Sequence, residues 1–265
     1  MKNNLETTKK VPTFLLYFYE LHNLLRYGRL EFFSRVEIET SSFCNRRCSY
    51  CPNSVFDRGK KLMKEETFKK IILELKKLHY TGHIYPHHYG EPLLDKRMVD
   101  LVRYTRVNLP YVWIRIYSNG DYLTSSLLRQ LVKAGVDEFF ITGHDGFLPP
   151  HIKKLMQSKL GKQTIKFFKL DKSKMPLFNR GGLVKPQRKI IVKHCDLASQ
   201  HLVIDYRGNV VLCCNDYLAK HKFGNLEQEQ IVDIWKKSHY QKLRKEIQDG
   251  RYRLDICRKC VALSP

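Results

Sequence analysis

An α/β fold built on a parallel sheet is what this sequence predicts, on three observations. From residue 35 onward, short β-branched or alternating segments take turns with amphipathic helical ones, the order that builds βα units. Polar or glycine-containing turns follow the segments that read as strands, at the ends where such sheets bind ligands. From about Gln187 the pattern changes to a hairpin, a helix and a cysteine-rich end.

In chain order, residues 13–27 (TFLLYFYELHNLLRY) have a helical period, with Leu and aromatic residues on a broad face. The segment reads as a helix packed on the main domain, with peripheral contact to a membrane surface as the alternative. SRVEIET is a short strand that delivers the loop after it. MKEETFKKIILELKKLHY is an amphipathic helix, GHIYPHHYGEP holds a strand ending in a polar turn, and KRMVDLVRYTRV is a helix. YVWIRIYSNGDYL is a strand ending in Ser-Asn-Gly. SSLLRQLVKAG is a helix with a serine cap and a closing glycine. VDEFFITGHDG is a strand, HIKKLMQSK a helix and QTIKFFKL a strand. HLVIDYRGNVVLCCND reads as a hairpin of two alternating strands around Arg-Gly-Asn, and EQIVDIWKKSHYQKLRKEIQDG as one helix ended by Gly250. Three units follow: a helical extension (1–34), the α/β unit (35–186) and a C-terminal unit (187–265).

The 265 residues suffice for one large domain with a buried core, or a large domain plus a small one. Apolar residues at 43% and aromatics at 12% exclude a disordered chain. No apolar run approaches the ~20 residues of a membrane span, and the N-terminal residues lack the features of a signal peptide. The expected location is the cytoplasm. Lys and Arg number 48 against 26 Asp and Glu, a net of +22. That excess fits a solvated basic surface or an anionic partner. No recognisable nucleic-acid-binding motif accompanies it, so nucleic acid is not an expected partner.

Eight cysteines carry the chemistry. Cys44, Cys48 and Cys51 form C-x3-C-x2-C in SSFCNRRCSYCPNS; the others, Cys195, Cys213, Cys214, Cys257 and Cys260, lie in the last quarter. In a reducing compartment clustered cysteines mean metal more often than disulfide, and two separated groups suggest two centres. Three thiolates on one tight loop suit a cubane iron–sulfur cluster with one iron left open to a small molecule. By spacing alone, a zinc site completed by a distant ligand stays open.

The later motifs narrow this. C-x3-C-x2-C with Tyr50 before the third cysteine, then YGEP (89–92), then YSNG (117–120) together resemble the radical S-adenosylmethionine (radical SAM) superfamily. That resemblance implies a partial (β/α)6 barrel and a [4Fe-4S] cluster on Cys44, Cys48 and Cys51 whose open iron binds SAM. It implies SAM contacts from Tyr50, Gly90, Glu91, Ser118 and Asn119, with the Glu91 carboxylate taking the SAM ammonium. Tyr89 departs from the family's pattern, standing where the first glycine of its Gly-Gly-Glu motif falls. RGNVVLCCND … FGNL … CRKC resembles the twitch or SPASM extension of the same enzymes. This implies an auxiliary [4Fe-4S] cluster on Cys195, Cys213, Cys257 and Cys260 in a hairpin-plus-helix unit.

CPNSV, NRGG and GNV further resemble the family's aminocyclitol dehydrogenases, from about residue 36 to 260. By that likeness Tyr89, Tyr117, Asn215 and Arg180 face the substrate, with His144 near the pocket. Relative to those enzymes Cys214 stands in place of a phenylalanine and Asn215 in place of a glutamate. The implied reaction is dehydrogenation: a 5′-deoxyadenosyl radical takes hydrogen from a carbinol C–H of a polyol, aminocyclitol or sugar-type substrate, and the second electron leaves to the auxiliary cluster. A flavodoxin or ferredoxin is the implied electron donor. The alternative is an epimerase in which Cys214, the cysteine left over, donates a hydrogen atom. A third reading is a basic binding protein stabilised by zinc.

Overall fold

The computed structural model describes residues 32–171, 179–185 and 193–261, and also Leu21, Leu24 and Leu25, which are helical and exposed. The remainder of the helix expected over 13–27 lies outside the described residues. Eight strands are formed: β1 (Arg35–Ile38), β2 (His83–Tyr85), β3 (Trp113–Ser118), β4 (Glu138–Gly143), β5 (Ile165–Lys169), β6 (His201–Ile204), β7 (Asn209–Val211) and β8 (Lys222–Asn225). They make one sheet in the order β5-β4-β3-β2-β1-β6-β7-β8. All pairings from β5 across to β6 are parallel, and β7 and β8 are added antiparallel.

The strands sort their side chains by period two. Val36, Ile38, Ile84, Ile114, Ile116, Phe139 and Ile141 are buried in the main core. The alternate positions are polar or aromatic: Arg35 and Glu37, then Tyr85, Arg115 and Tyr117, then Phe140. One face of the sheet thus packs on helices, and the other lines a lumen with polar and aromatic side chains.

The helices covering the apolar face are α1 (Glu65–Lys77), α2 (Met98–Asn108), α3 (Ser125–Ala134), α4 (Pro150–Gln157) and α5 (Lys159–Thr164). In α1, Phe68, Ile71, Ile72 and Leu75 recur at helical spacing and are buried, with glutamates in the first turn and lysines in the last. The cap of α3 is Thr124 rather than the expected serine: its hydroxyl accepts from Leu127 N at 3.1 Å. Gly135, at φ 120, closes that helix as anticipated. β5 begins only at Ile165, because Ser158 caps the unforeseen α5 by accepting from Gly161 N.

The C-terminal unit holds α6 (Leu197–Gln200), α7 (Ile231–Lys236), α8 (Ser238–Gln248) and α9 (Asp255–Cys260). The single helix expected here is two. Lys237 leaves the helical conformation at the break (φ −54, ψ 125), and its ammonium is anchored by Glu229 at 2.5 Å and by the Phe223 carbonyl at 2.8 Å. The bend brings Tyr240 edge-on to Trp235 and seats Arg244 over both rings. The hairpin strands β6 and β7 are buried throughout instead of alternating, as befits strands covered on both faces. Because β6 pairs with β1, the sheet continues across the boundary expected near residue 187. Among the described residues no helix is long and apolar enough to cross a membrane.

Candidate active site

A cavity of about 350 Å³ opens at the C-terminal ends of β1 to β4. Glu39, Thr40, Ser41 and Ser42, all buried, lead from β1 into the three-cysteine loop. Cys51 N–H donates to the Cys48 carbonyl at 2.8 Å, and Pro52 starts a short helical turn. Cys44, Cys48 and Cys51 all line the cavity.

Charged side chains fasten this loop to its surroundings. The Arg46 guanidinium forks onto both oxygens of Asp121, at 2.6 and 2.7 Å, and reaches Asp145 at 2.5 Å. Behind the loop, Arg58 grips the buried Glu39 with two bonds of 2.6 and 2.9 Å and lies over the Tyr217 ring. The Tyr217 hydroxyl donates to Asn53 Oδ1, and Asn53 Nδ2 donates to the Tyr89 carbonyl. Burial would raise the Glu39 carboxyl, but His88 and Arg58 outweigh it and hold it below the usual carboxylate range.

The wall beside the cysteines is a closed polar network. Gly90 approaches the chain so closely that a Cβ there would lie 2.0 Å from the Ser41 carbonyl oxygen. Glu91, 3% exposed, accepts from the Ser118 hydroxyl (2.6 Å), Asn119 N–H (2.9 Å) and Leu93 N–H (3.1 Å). Its burial still raises its pKa. Asn119 Nδ2 donates to Asn45 Oδ1 at 2.9 Å. Glu91, Ser118 and Asn119 thus tie the ends of β2 and β3 to the cysteine loop while lining the cavity, as Gly90 does.

The lumen supplies groups that the sequence reading passed over. Arg35 donates to His201 Nε2 at 3.0 Å. A guanidinium only donates, so Nδ1 carries the imidazole proton and gives it to Glu37 Oε1 at 3.1 Å. Burial would raise the Glu37 carboxyl; the His201 bond and the nearby His88 hold it below the ordinary range. Burial pushes His87 down to about 4. The available signal was alternation: charged or imidazole residues at every second place of a buried strand face a lumen, not water.

Of the substrate-facing residues expected from sequence, Tyr89, Tyr117, His144, Arg180 and Cys214 line this cavity. His144 Nδ1 meets the Tyr50 hydroxyl, and Tyr50 also lines the cavity. Tyr117 packs against His87 and accepts from Arg115. Tyr89 hydroxyl and His88 Nε2 both donate to the Cys214 carbonyl, at 2.8 and 3.0 Å. Arg180 sits at φ 52, a left-handed conformation uncommon outside glycine, with Tyr89 beneath its guanidinium. Asn215 is placed elsewhere: it lines a second, apolar cavity together with Cys195, Cys213, Cys257 and Cys260.

Cys44, Cys48 and Cys51 share the main cavity, and Cys195, Cys213, Cys257 and Cys260 share the second, so the residues present offer a three-sulfur and a four-sulfur donor set, the ligand chemistry of iron–sulfur clusters. Burial raises the thiols of Cys44 and Cys195 to about 11 and that of Cys257 to about 12. Ligation would take them as thiolates and release their protons.

Residues 38–170 match the radical SAM superfamily, and residues 195–261 match SPASM, an iron–sulfur cluster-binding domain. The chain is 35% identical to the S-adenosyl-L-methionine-dependent 2-deoxy-scyllo-inosamine dehydrogenase of Niallia circulans, over 88% of this chain and 94% of that one. The crystal structure of BtrN in complex with AdoMet and 2-DOIA superposes with a TM-score of 0.80 at 33% identity, covering 88% of this chain and 95% of that one. SuiB of Streptococcus suis, bound to its precursor peptide SuiA, shares the fold, with a TM-score of 0.64 at 13% identity over 99% of this chain and 78% of that one. The two matched domains carry SAM with a [4Fe-4S] cluster and an auxiliary iron–sulfur cluster. A three-thiolate loop at the strand ends, a glycine pressed against that loop and a four-cysteine C-terminal site thus agree with the matches, and the protein belongs to the radical SAM superfamily as an oxidoreductase with a SPASM auxiliary-cluster domain.

Proposed function

We propose that this protein oxidises a carbinol carbon of a hydroxylated small molecule, a polyol, aminocyclitol or sugar, to a ketone. The observation that carries the reading is Arg180. Among the described residues this guanidinium has no carboxylate partner; it has Asn215 Oδ1 at 3.2 Å and the Tyr89 ring, and it lines the cavity. A half-buried cation that, among the described residues, lacks a carboxylate partner is suited to a substrate oxygen that becomes negative as the reaction proceeds.

In this reading Cys44, Cys48 and Cys51 hold the first cluster, and Tyr50, Gly90, Glu91, Ser118 and Asn119 shape the wall against SAM. Cys195, Cys213, Cys257 and Cys260 hold the auxiliary cluster. Bound there, these groups supply reductive cleavage of SAM, hydrogen-atom abstraction from carbon and an acceptor for the second electron. The chain's own residues do the rest. Tyr89 and Tyr117 pack against the substrate ring and keep water from its reacting face. Glu37, held anionic and fixed by His201, accepts from a substrate hydroxyl or amine. Arg180 stabilises the hydroxyl oxygen as its proton leaves to solvent, and His144, turned by Tyr50, stands near that oxygen. The dehydrogenase likeness over most of the chain supports this assignment, as does the amine in that relative's substrate name. A low-potential flavodoxin or ferredoxin supplies the starting electron.

The test is anaerobic incubation of the reconstituted protein with SAM, dithionite and a panel of polyols and aminocyclitols. Ketone and 5′-deoxyadenosine in equal amounts are expected with the right compound. Deoxyadenosine without ketone across the panel would sink the dehydrogenase reading. The second reading, epimerisation, is favoured by Cys214 in the cavity wall, a thiol not needed by either cluster. It is separated by running the wild type in deuterated water and comparing Cys214→Ala. An epimerase incorporates deuterium at carbon and loses product formation in the variant; a dehydrogenase does neither.

A further inference from the structure

Asn215 lies between the two cavities, 2% exposed, and uses both ends of its side-chain amide. Oδ1 accepts from Arg180 at 3.2 Å, and Nδ2 donates to the Cys260 sulfur at 3.3 Å. A guanidinium offers only donors, so the oxygen must face Arg180 and the nitrogen is thereby turned to sulfur. Asn215 sits in the tight turn after Cys213, which Asp216 N–H closes by donating to the Cys213 carbonyl at 3.0 Å. One side chain thus joins an auxiliary cysteine to the cation of the substrate cavity.

The surrounding loop sharpens this convergence. Gly181, the residue after Arg180, lies beside the same cysteine, Cys260. Gly181 stands at φ 66, where a Cβ would meet the Ile256 side chain at 2.5 Å. The loop is pinned to α9 by Asn179 Nδ2, which donates to the Lys259 carbonyl at 2.6 Å. Cys260 is therefore the auxiliary sulfur that, among the described residues, takes a side-chain N–H donor, with the Arg180 guanidinium nearby. Hydrogen bonds and positive charge around cluster sulfurs raise the reduction potential, because they favour the more negative reduced state.

We propose that Asn215 is a positioning residue that sets the reduction potential of the auxiliary cluster and ties it to the substrate cavity through Arg180. The proposal rests on the four-cysteine reading above. Losing the side-chain bond to Cys260 makes one-electron reduction about tenfold less favourable, a midpoint shift of about 59 mV to the negative side.

The test uses the full chain with Cys44, Cys48 and Cys51 all changed to alanine, so that only the auxiliary cluster loads. Its midpoint is read by anaerobic redox titration with electron paramagnetic resonance, without substrate. Asn215→Asp keeps size and an acceptor for Arg180 but replaces the N–H donor with a carboxylate oxygen; Asn215→Ala removes both ends. Both shift the midpoint negative, Asn215→Asp further. Hyperfine spectroscopy in deuterated water shows an exchangeable proton coupled to the parent cluster and missing from both variants. An unchanged midpoint in either variant that retains four irons overturns the proposal. Absence of iron from the triple-alanine parent overturns the four-cysteine reading instead, and is recognised before any midpoint is taken.

Discussion

Glu39 and Arg58 form a buried two-bond ion pair beneath the cysteine loop, at 2.6 and 2.9 Å, with the Glu39 side chain fully shielded. Glu39 also accepts from the Tyr89 backbone N–H at 3.1 Å. The pair therefore joins the end of β1, the cysteine loop and the turn after β2.

Arg58→Ala leaves a carboxylate buried without its counter-charge. Removing one partner of such a pair costs about 3–5 kcal/mol. The melting temperature, followed by circular dichroism, should fall by about 10 °C. A drop of under ~2 °C, the scale of an exposed pair, would show that the pair contributes little.

His87 gives the fold an acid sensitivity of definite sign. Burial holds it neutral, at about 4, with Glu37, Glu39 and His88 as its titratable neighbours. The unfolded chain binds a proton at about 6.5, so it holds more protons than the folded one between pH 6.5 and 4. Stability must then fall as pH falls through that window. His87→Phe should flatten this part of the melting temperature–pH curve. A variant curve parallel to the wild type would count against it.

Gly90→Ala should abolish SAM binding without unfolding the chain. The new methyl would meet the Ser41 carbonyl oxygen at 2.0 Å, and relief requires moving the YGEP turn or the cysteine loop. Equilibrium dialysis with labelled SAM, beside a circular dichroism spectrum, checks this. Wild-type affinity would contradict it.

Cys257→Ala should reduce iron from about eight to about four per chain while leaving SAM cleavage by dithionite in place. Cys257 is buried in the apolar C-terminal cavity, away from the SAM wall. Iron analysis together with deoxyadenosine yield tests the division of labour. Loss of all iron would mean that the two centres assemble as one.

Much of this was legible in the chain. The βα alternation gives the parallel strands, and the three-cysteine loop, YGEP and YSNG each fall at a strand end. What escaped is long-range or depends on register. Arg35, Glu37 and His201 read as scattered charges until β1 and β6 pair, with Arg35 opposite His201. Arg46 could not announce Asp121 and Asp145, because no periodicity links residues on separate loops. The break at Lys237 was hidden because the helical pattern runs through it; tertiary anchors on Glu229 and Phe223 decide there. Asn215 read as a pocket residue by likeness, and the turn after Cys213 carries it to the other side of the wall.

The parallel ladder between β1 and β6 limits how evolution or engineering can rearrange this molecule. Exchanging everything after residue 193 for the equivalent piece of a relative would strip a structural stave, and His201 with it, from the first half. The main cavity and the auxiliary-cluster unit are therefore inherited together, and a successful chimera must carry both flanks of that seam from one parent.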